Sequence, residues 1–207
     1  MNPEIIDHLV SRYPVLESLK ERIAEAAHAI IKCFENKKKL LICGNGGSCS
    51  DAEHIAGELV KSFELIRKPD NEFKKRLIKI SESRGSFLAE KLQAGFPAIS
   101  LNSNTALISA ISNDISAEAV YAQQVMAMGN PGDILLAIST SGNSPNIIDA
   151  LITAKTAGLI TIGMTGHSGG IMKKYCDILI NVPEQQCASV QELHRPVYHT
   201  LCRLIES

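Results

Sequence analysis

Five short runs along the chain, "KLLIC" (39–43), "PAISL" (97–101), "DILLAI" (133–138), "LITIGM" (159–164) and "DILINV" (177–182), are apolar at consecutive rather than alternate positions. Successive side chains of a strand point to opposite faces, so runs of this kind belong to strands covered on both sides, as in a parallel sheet layered by helices. Between the runs the apolar period lengthens to three and four, which predicts helices over 51–62, 105–112, 116–128, 145–157, 169–175 and 188–205. Alternation of this kind implies a three-layer αβα sandwich, doubly wound around a five-stranded parallel sheet. Ligands in such folds sit at the carboxyl ends of the strands.

Upstream of the first strand, Leu16, Leu19, Ile23, Ala26, Ala27, Ile30 and Phe34 predict one amphipathic helix over 14–35. Its wide apolar face packs outside the sheet or against a neighbouring subunit. The connection 61–96 carries Phe73, Leu77, Ile80, Phe87, Leu88 and Leu92, which predict one or two amphipathic helices divided near Gly85. That is more chain than a crossover between adjacent strands needs. A flap near the site or an oligomer contact would account for it. With no internal repeat and no low-complexity linker, the whole of 1–207 reads as a single domain, residues 1–36 forming its N-terminal helical segment.

Composition narrows the class. Hydrophobic residues make up 45% and charged ones 21%, as in ordinary globular proteins, and the net charge of −1 supplies no basic surface for nucleic acid or membrane. The one basic cluster, "RKPDNEFKKRLIK" (67–79), is expected to be a solvated helix face. The six cysteines, at 33, 43, 49, 176, 187 and 202, form no C-x-x-C pair and lie partly in apolar segments, as thiols of a reducing cytoplasm do. The N-terminal "MNPEIIDHLVSRYP" is acidic and interrupted by prolines, unlike a signal peptide, and no apolar run reaches the ~18 residues of a membrane span.

Two strand-ending turns carry the candidate chemistry. "CGNGGS" (43–48) leads from the first strand into a helix, and "AISTSGNSPN" (137–146) gathers Ser139, Thr140, Ser141 and Ser144 around Gly142 before another. Hydroxyls and free N–H groups at a helix N-terminus suit a phosphate dianion. A single capping serine would serve the helix alone, and four hydroxyls exceed that need. The first turn has the spacing of neither a dinucleotide nor a P-loop site, and no nucleotide cofactor is expected. Past the first turn, His54 and Glu58 stand one helical turn apart on one face, where they can share a substrate or a metal. The C-terminal helix offers Gln191, Glu192, His194 and His199. Gln191 and His199 are separated by about 12 Å of ideal helix, with Pro196 between them expected to bend it. His194 is expected to be partly exposed or at an interface rather than a ligand.

Together "CGNGGS", "DAEHIAGEL", "SND" (112–114), "AISTSGNSPNII" and "VQELHRPVYHTLC" resemble the sugar isomerase (SIS) domain family, and within it the phosphoheptose isomerase group. The resemblance implies the SIS fold and isomerisation of sedoheptulose 7-phosphate to D-glycero-D-manno-heptose 7-phosphate through an enediol, toward heptose for lipopolysaccharide or capsule. It implies that Asn45, Gly46, Gly47 and Ser48 line the sugar and phosphate, that Asn113 and Asp114 contact sugar hydroxyls, and that Ser139, Thr140, Ser141 and Ser144 hold the phosphate. By the same resemblance Glu58 and His199 are general base and acid, with Gln191 beside them on the substrate. Zinc, one ion per subunit, would be bound by His54, Glu58, Gln191 and His199, and the enzyme would be a cytoplasmic homotetramer with sites at subunit interfaces. Glu58 is expected to serve as base first and ligand second, because coordination lowers its basicity.

Three features depart from that pattern. Ser62–Phe63 stands where many relatives carry an arginine and an aromatic residue, leaving Lys61 or a basic residue of the insertion to replace the cation; Ala188 stands where an aspartate is frequent; and 61–96 is inserted. A non-catalytic SIS module that binds phosphosugars, or another SIS isomerase or lyase, is the rival expectation. The presence of both Glu58 and His199 favours the isomerase.

Overall fold

The computed structural model describes residues 2–207. Its strands are β1 (Leu40–Gly44), β2 (Ala98–Ser100), β3 (Ile134–Ile138), β4 (Ile160–Thr165) and β5 (Ile178–Asn181). Its helices are α1 (Glu4–Arg12), α2 (Lys20–Glu35), α3 (Gly47–Val60), α4 (Asn71–Ile80), α5 (Glu82–Lys91), α6 (Thr105–Asp114), α7 (Val120–Met128), α8 (Pro145–Thr156) and α9 (Cys187–Glu206). The strands form one sheet in the order β2-β1-β3-β4-β5, and every pairing is parallel. The expected three-layer sandwich is therefore present.

Side chains along each strand divide between two cores. Leu40, Ile42, Ile134, Leu136 and Ile138 face α1, α2, α3 and α9. Leu41, Cys43, Leu135 and Ala137 face α6, α7 and α8. Both sets are almost completely buried, which explains why the strands read as continuous apolar runs. After β1 the chain moves to one side to make β2, then returns to build β3, β4 and β5 on the other. That reversal opens a crevice above the carboxyl ends of β1 and β3, where the register pairs Gly44 with Ile138.

The N-terminal segment packs on this body. Ile23, Ala26, Ala27 and Ile30 of α2 lie in the first core, and the stretch expected to be one helix begins as a 3-10 segment, Pro14–Leu19. Helix α1 was not anticipated from the pattern. Pro3 precedes it in helical geometry and acidic Glu4 and Asp7 occupy its first turn, a permitted start that the prolines obscure. The helix expected over 169–175 is only a 3-10 turn, Met172–Lys174, because Gly169 and Gly170 have φ of +72° and +54°. Helix α7 begins at Val120 rather than 116.

The insertion forms a hairpin of α4 and α5 that packs chiefly on itself. It divides at Ser81, not at Gly85. Gly85 is instead the point of closest approach, since a Cβ there would lie 2.1 Å from the Leu77 carbonyl oxygen. Helix α4 buries no residue and α5 buries only Gly85, so Phe73, Ile78, Ile80 and Phe87 are exposed. The base of the hairpin is closed by Glu206 of α9, whose carboxylate is 1% exposed. It accepts hydrogen bonds from the backbone N–H groups of Phe63 (2.7 Å), Glu64 (2.9 Å) and Leu65 (3.1 Å) and pairs with Arg67 at 3.0 Å. Burial opposes its ionisation, but the three backbone donors and Arg67 outweigh that and hold its pKa below the usual carboxylate value. Arg67 also donates to the carbonyls of Leu59 (2.9 Å), Lys61 (2.6 Å) and Ala94 (2.9 Å) and stacks over Phe96 at 4.1 Å.

All six cysteines are free thiols, with Cys33, Cys43 and Cys202 buried. Among the described residues no helix is long and apolar enough to cross a membrane. Removing the Glu206 carboxylate leaves the Arg67 charge and three backbone donors without their partner. Glu206→Ala is therefore expected to cost about 3 kcal/mol, lowering the melting temperature by roughly 6–12 °C in a calorimetric scan.

Candidate active site

The crevice is built by the two strand-ending turns. Beyond Gly44 the chain turns through Asn45 into α3 at Gly46, whose φ of +56° lies in the left-handed region that favours glycine. The Gly44 carbonyl accepts from the Tyr121 hydroxyl (2.7 Å) and from Asn102 Nδ2 (2.8 Å), which fixes the strand end. Beyond Ile138 the second turn leads into α8. Ser139 Oγ accepts from the Gly142 N–H (3.2 Å) and lies 3.4 Å from Ser144 Oγ, while Ser141 Oγ accepts from the Asn143 N–H (3.2 Å). Thr140 Oγ1 lies 3.4 Å from Cys187 Sγ at the start of α9. Ser144 occupies the N-cap position of α8, yet its side chain makes no capping bond, so plain capping does not account for the hydroxyls. A reciprocal amide pair joins the turns, with Asn45 Nδ2 donating to Asn146 Oδ1 (2.8 Å) and Asn146 Nδ2 to Asn45 Oδ1 (3.0 Å).

Helix α9 crosses α3 and adds a second wall. Gln191 lies on Gly47, its Nε2 only 2.4 Å from where a Cβ would stand. Farther along, the Tyr198 hydroxyl is 3.1 Å from His54 Nδ1, and His54 Nε2 is 3.1 Å from Glu58 Oε1. The other Glu58 oxygen, Oε2, accepts from Lys61 Nζ at 2.6 Å. The His199 ring stands edge-on to His54 (5.1 Å between centroids) and to Tyr198 (4.8 Å), with Phe63 at 5.5 Å. Its Nε2 is buried and has no hydrogen-bond partner among the described residues. Glu58 and His199 thus meet across His54, the carboxylate being 15% exposed. Helix α9 runs unbroken through Pro196, and its length separates the two α9 residues: Gln191 attends the glycine turn and His199 the His54–Glu58 pair.

Burial lowers the pKa of His199, and the nearby charges of His54, Arg203 and Arg195 lower it further against the opposing pull of Glu58. Burial, with Asp51 nearby, pushes Tyr198 up to about 12, so its hydroxyl stays protonated beside His54. Desolvation raises the pKa of Asp51, opposed by Tyr198 and Arg195. Asp51, Gln191, Glu192 and Arg195 line a cavity of about 620 Å³ with Gly47 and Tyr13.

Asn113 and Asp114 end α6, exposed, and bond to each other at 2.7 Å; no hydrogen bond among the described residues ties them to either turn. His194 is neither partly exposed nor at the surface: it is fully buried, with neither ring nitrogen within good hydrogen-bond geometry of a partner among the described residues and the Thr165 backbone nearby. Tyr198, Asn146 and Tyr121 were not singled out from the sequence, and Phe63 entered only as part of the Ser62–Phe63 departure from the family pattern. Asn146 sits inside the "STSGNSPN" motif and Tyr198 directly precedes His199, so adjacency was their only signal.

A model of the SIS domain matches residues 7–74 and 81–166. The chain belongs to the SIS domain family. Among its SIS relatives, the phosphoheptose isomerase of Maridesulfovibrio salexigens is 38% identical over 98% of this chain and 88% of that protein. The phosphoheptose isomerase of Helicobacter pylori (strain P12) is 39% identical over 98% of this chain and 92% of that one. Two solved structures share the SIS architecture at full-chain scale. Phosphoheptose isomerase GmhA from Neisseria gonorrhoeae superposes with a TM-score of 0.76 at 30% identity, covering 97% of this chain and 94% of that one. The phosphoheptose isomerase from Francisella tularensis gives 0.77 at 34%, covering 94% and 90%.

Within this SIS body, burial lowers the pKa of His194 to about 4, a little opposed by the Thr165 backbone. The folded state therefore favours the neutral ring. That contribution is complete above the ordinary value of 6.5 and is lost as pH falls through about 4. The difference corresponds to roughly 3 kcal/mol. Denaturant midpoints of the unaltered chain are expected to fall across this window, and those of His194→Leu to fall less.

Proposed function

We infer that the chain is an aldose–ketose isomerase that converts sedoheptulose 7-phosphate to D-glycero-D-manno-heptose 7-phosphate. The observation that carries this reading is the meeting of Glu58 and His199 across His54, on helices that also wall the phosphate-type crevice. Its strongest support outside the site is full-length similarity to proteins named phosphoheptose isomerase.

In this reading Ser139, Thr140, Ser141 and Ser144 hold the 7-phosphate at the N-terminus of α8, while Asn45, Gly46, Gly47 and Ser48 line the sugar. Asn113, Asp114 and Gln191 take hydroxyls along the chain. Anchoring the far end orients the reacting carbons, so that remote binding energy serves the chemical step. Glu58 removes a proton from C1 of the ketose as His199 gives one to O2, which makes the enediol. His199 then accepts the O1 proton and Glu58 returns its proton to C2, giving the aldose with no net gain or loss of atoms or electrons. The lowered pKa of His199 keeps its ring neutral at pH 7, and a neutral imidazole can both donate and accept in such a shuttle.

Zinc belongs to the proposal. Two imidazoles, a carboxylate and an amide oxygen are donors it accepts, and the unpartnered buried His199 Nε2 is an atom a metal would satisfy. Among the described residues, no group of three or more His, Cys, Asp or Glu gathers in metal-holding geometry as the side chains stand. His54, Glu58 and His199, neighbours at one end of the α3–α9 contact, would hold it together with Gln191, which as it stands lies apart against Gly47 and would have to swing toward them. The ion would supply Lewis-acid stabilisation to the sugar oxygen that becomes negative. The enzyme in this reading works in the cytoplasm as a homotetramer.

Purified protein is expected to turn over sedoheptulose 7-phosphate, with Glu58→Gln and His199→Ala each lowering kcat by about 10²–10⁴-fold. Ser141→Ala should raise KM by about 10–100-fold with a smaller effect on kcat, in line with loss of one hydrogen bond to a charged group. Binding of the sugar phosphate without turnover would overturn the reading in favour of a regulatory SIS protein. Elemental analysis of the protein as purified, repeated after chelation, decides the zinc.

A further inference from the structure

We propose that Lys61 is a positioning residue of the isomerisation: its ammonium, at the C-terminal end of α3, fixes the Glu58 carboxylate in the orientation from which it takes and returns the substrate proton. The inference rests on the isomerase reading above. Helix α3 stops at Val60, and Lys61 is already extended, with φ of −112° and ψ of 176°. Its side chain folds back over the last turn and sets Nζ 2.6 Å from Glu58 Oε2, with Ser62 O at 3.4 Å. The opposite oxygen, Oε1, lies 3.1 Å from His54 Nε2, and His54 is itself tied to Tyr198. The carboxylate therefore has a partner on each oxygen, and its plane is set before substrate arrives.

A glutamate side chain free to sample its rotamers would lose that freedom when it settles into one of them for the reaction. Holding it in advance moves that loss from the reaction to folding. The holder is fixed in turn: Arg67 donates to the Lys61 carbonyl at 2.6 Å, and Glu206 grips the backbone of the next residues, 63–65. Phe63 of the same strap packs on His199 at 5.5 Å. One short segment therefore touches both members of the acid–base pair.

Exposure separates this role from a structural one. The Lys61 side chain is 60% exposed and that of Glu58 15%. A pair with so open a partner contributes little to stability, so the fold scarcely needs Lys61. Its loss should appear in the chemical step instead.

The test compares the unaltered chain, Lys61→Met, Lys61→Arg and Glu58→Gln with sedoheptulose 7-phosphate, each also followed by thermal melting. Lys61→Met is expected to lower kcat roughly tenfold, with KM within about twofold and a melting temperature within about 3 °C of the unaltered chain. Lys61→Arg should restore most of the rate, because it returns a cation to Oε2. The proposal is overturned by a Lys61→Met rate equal to that of the unaltered chain, by a rise confined to KM, by no recovery in Lys61→Arg, or by a melting temperature lower by about 6 °C or more. If Glu58→Gln is inactive while Lys61→Met is fully active, the isomerase reading stands and the role of Lys61 falls. If the unaltered chain has no turnover, both fall.

Discussion

Helix α9 lies across α3 with Gln191 against Gly47 near one end of the contact and Tyr198 hydrogen-bonded to His54 near the other. That crossing places everything else at the site. Any side chain at position 47 would push Gln191 away. Without Tyr198, His54 would keep only its bond to Glu58. The same helix buries Val190, Val197, Leu201 and Leu204 in the core beneath, so the placement of its polar face follows from the packing of its apolar one. The site is accurate because the core is full.

The sheet contributes the other coordinate. Its strand order reverses between β1 and β3, so the two turns that follow these strands face one crevice, and the Asn45–Asn146 pair locks them together. Tyr121 and Asn102 satisfy the Gly44 carbonyl at the end of β1, which would otherwise be a buried acceptor at the edge of a cavity. Burial acts differently on the groups around the crevice. It keeps Tyr198 protonated and His199 neutral, so two uncharged hydrogen-bonding rings flank His54 beside the carboxylate of Glu58.

Much of this was legible in the chain. The five strands announced themselves because residues such as Leu40, Leu41, Ile42 and Cys43 are buried on both faces. The glycine turn, the serine turn and the His54–Glu58 spacing could be read directly, since each depends on local geometry. Helix α1 could not, because its flanking prolines, Pro3 and Pro14, look like breakers when they stand just outside a helix. Gly85 looked like a break and is a contact, a distinction that only the partner helix reveals. His194 carries a polar label yet is fully buried, and nothing in its neighbours along the chain shows that depth. The His54–Tyr198 bond and the amide pair of Asn45 and Asn146 join residues distant in sequence, so they wait on tertiary structure.

The hairpin of α4 and α5 leaves and rejoins the body at one place, where Phe96 N–H bonds to the Leu59 carbonyl (2.9 Å) and Ala94 N–H to that of Arg67 (2.7 Å). A loop whose two ends already touch places little demand on its own length. The chain beyond that neck can thus drift, shorten or be replaced by another module during evolution while the sheet and the crevice keep their shape. The neck makes this stretch a natural graft point, a cassette that selection can edit independently of the catalytic body.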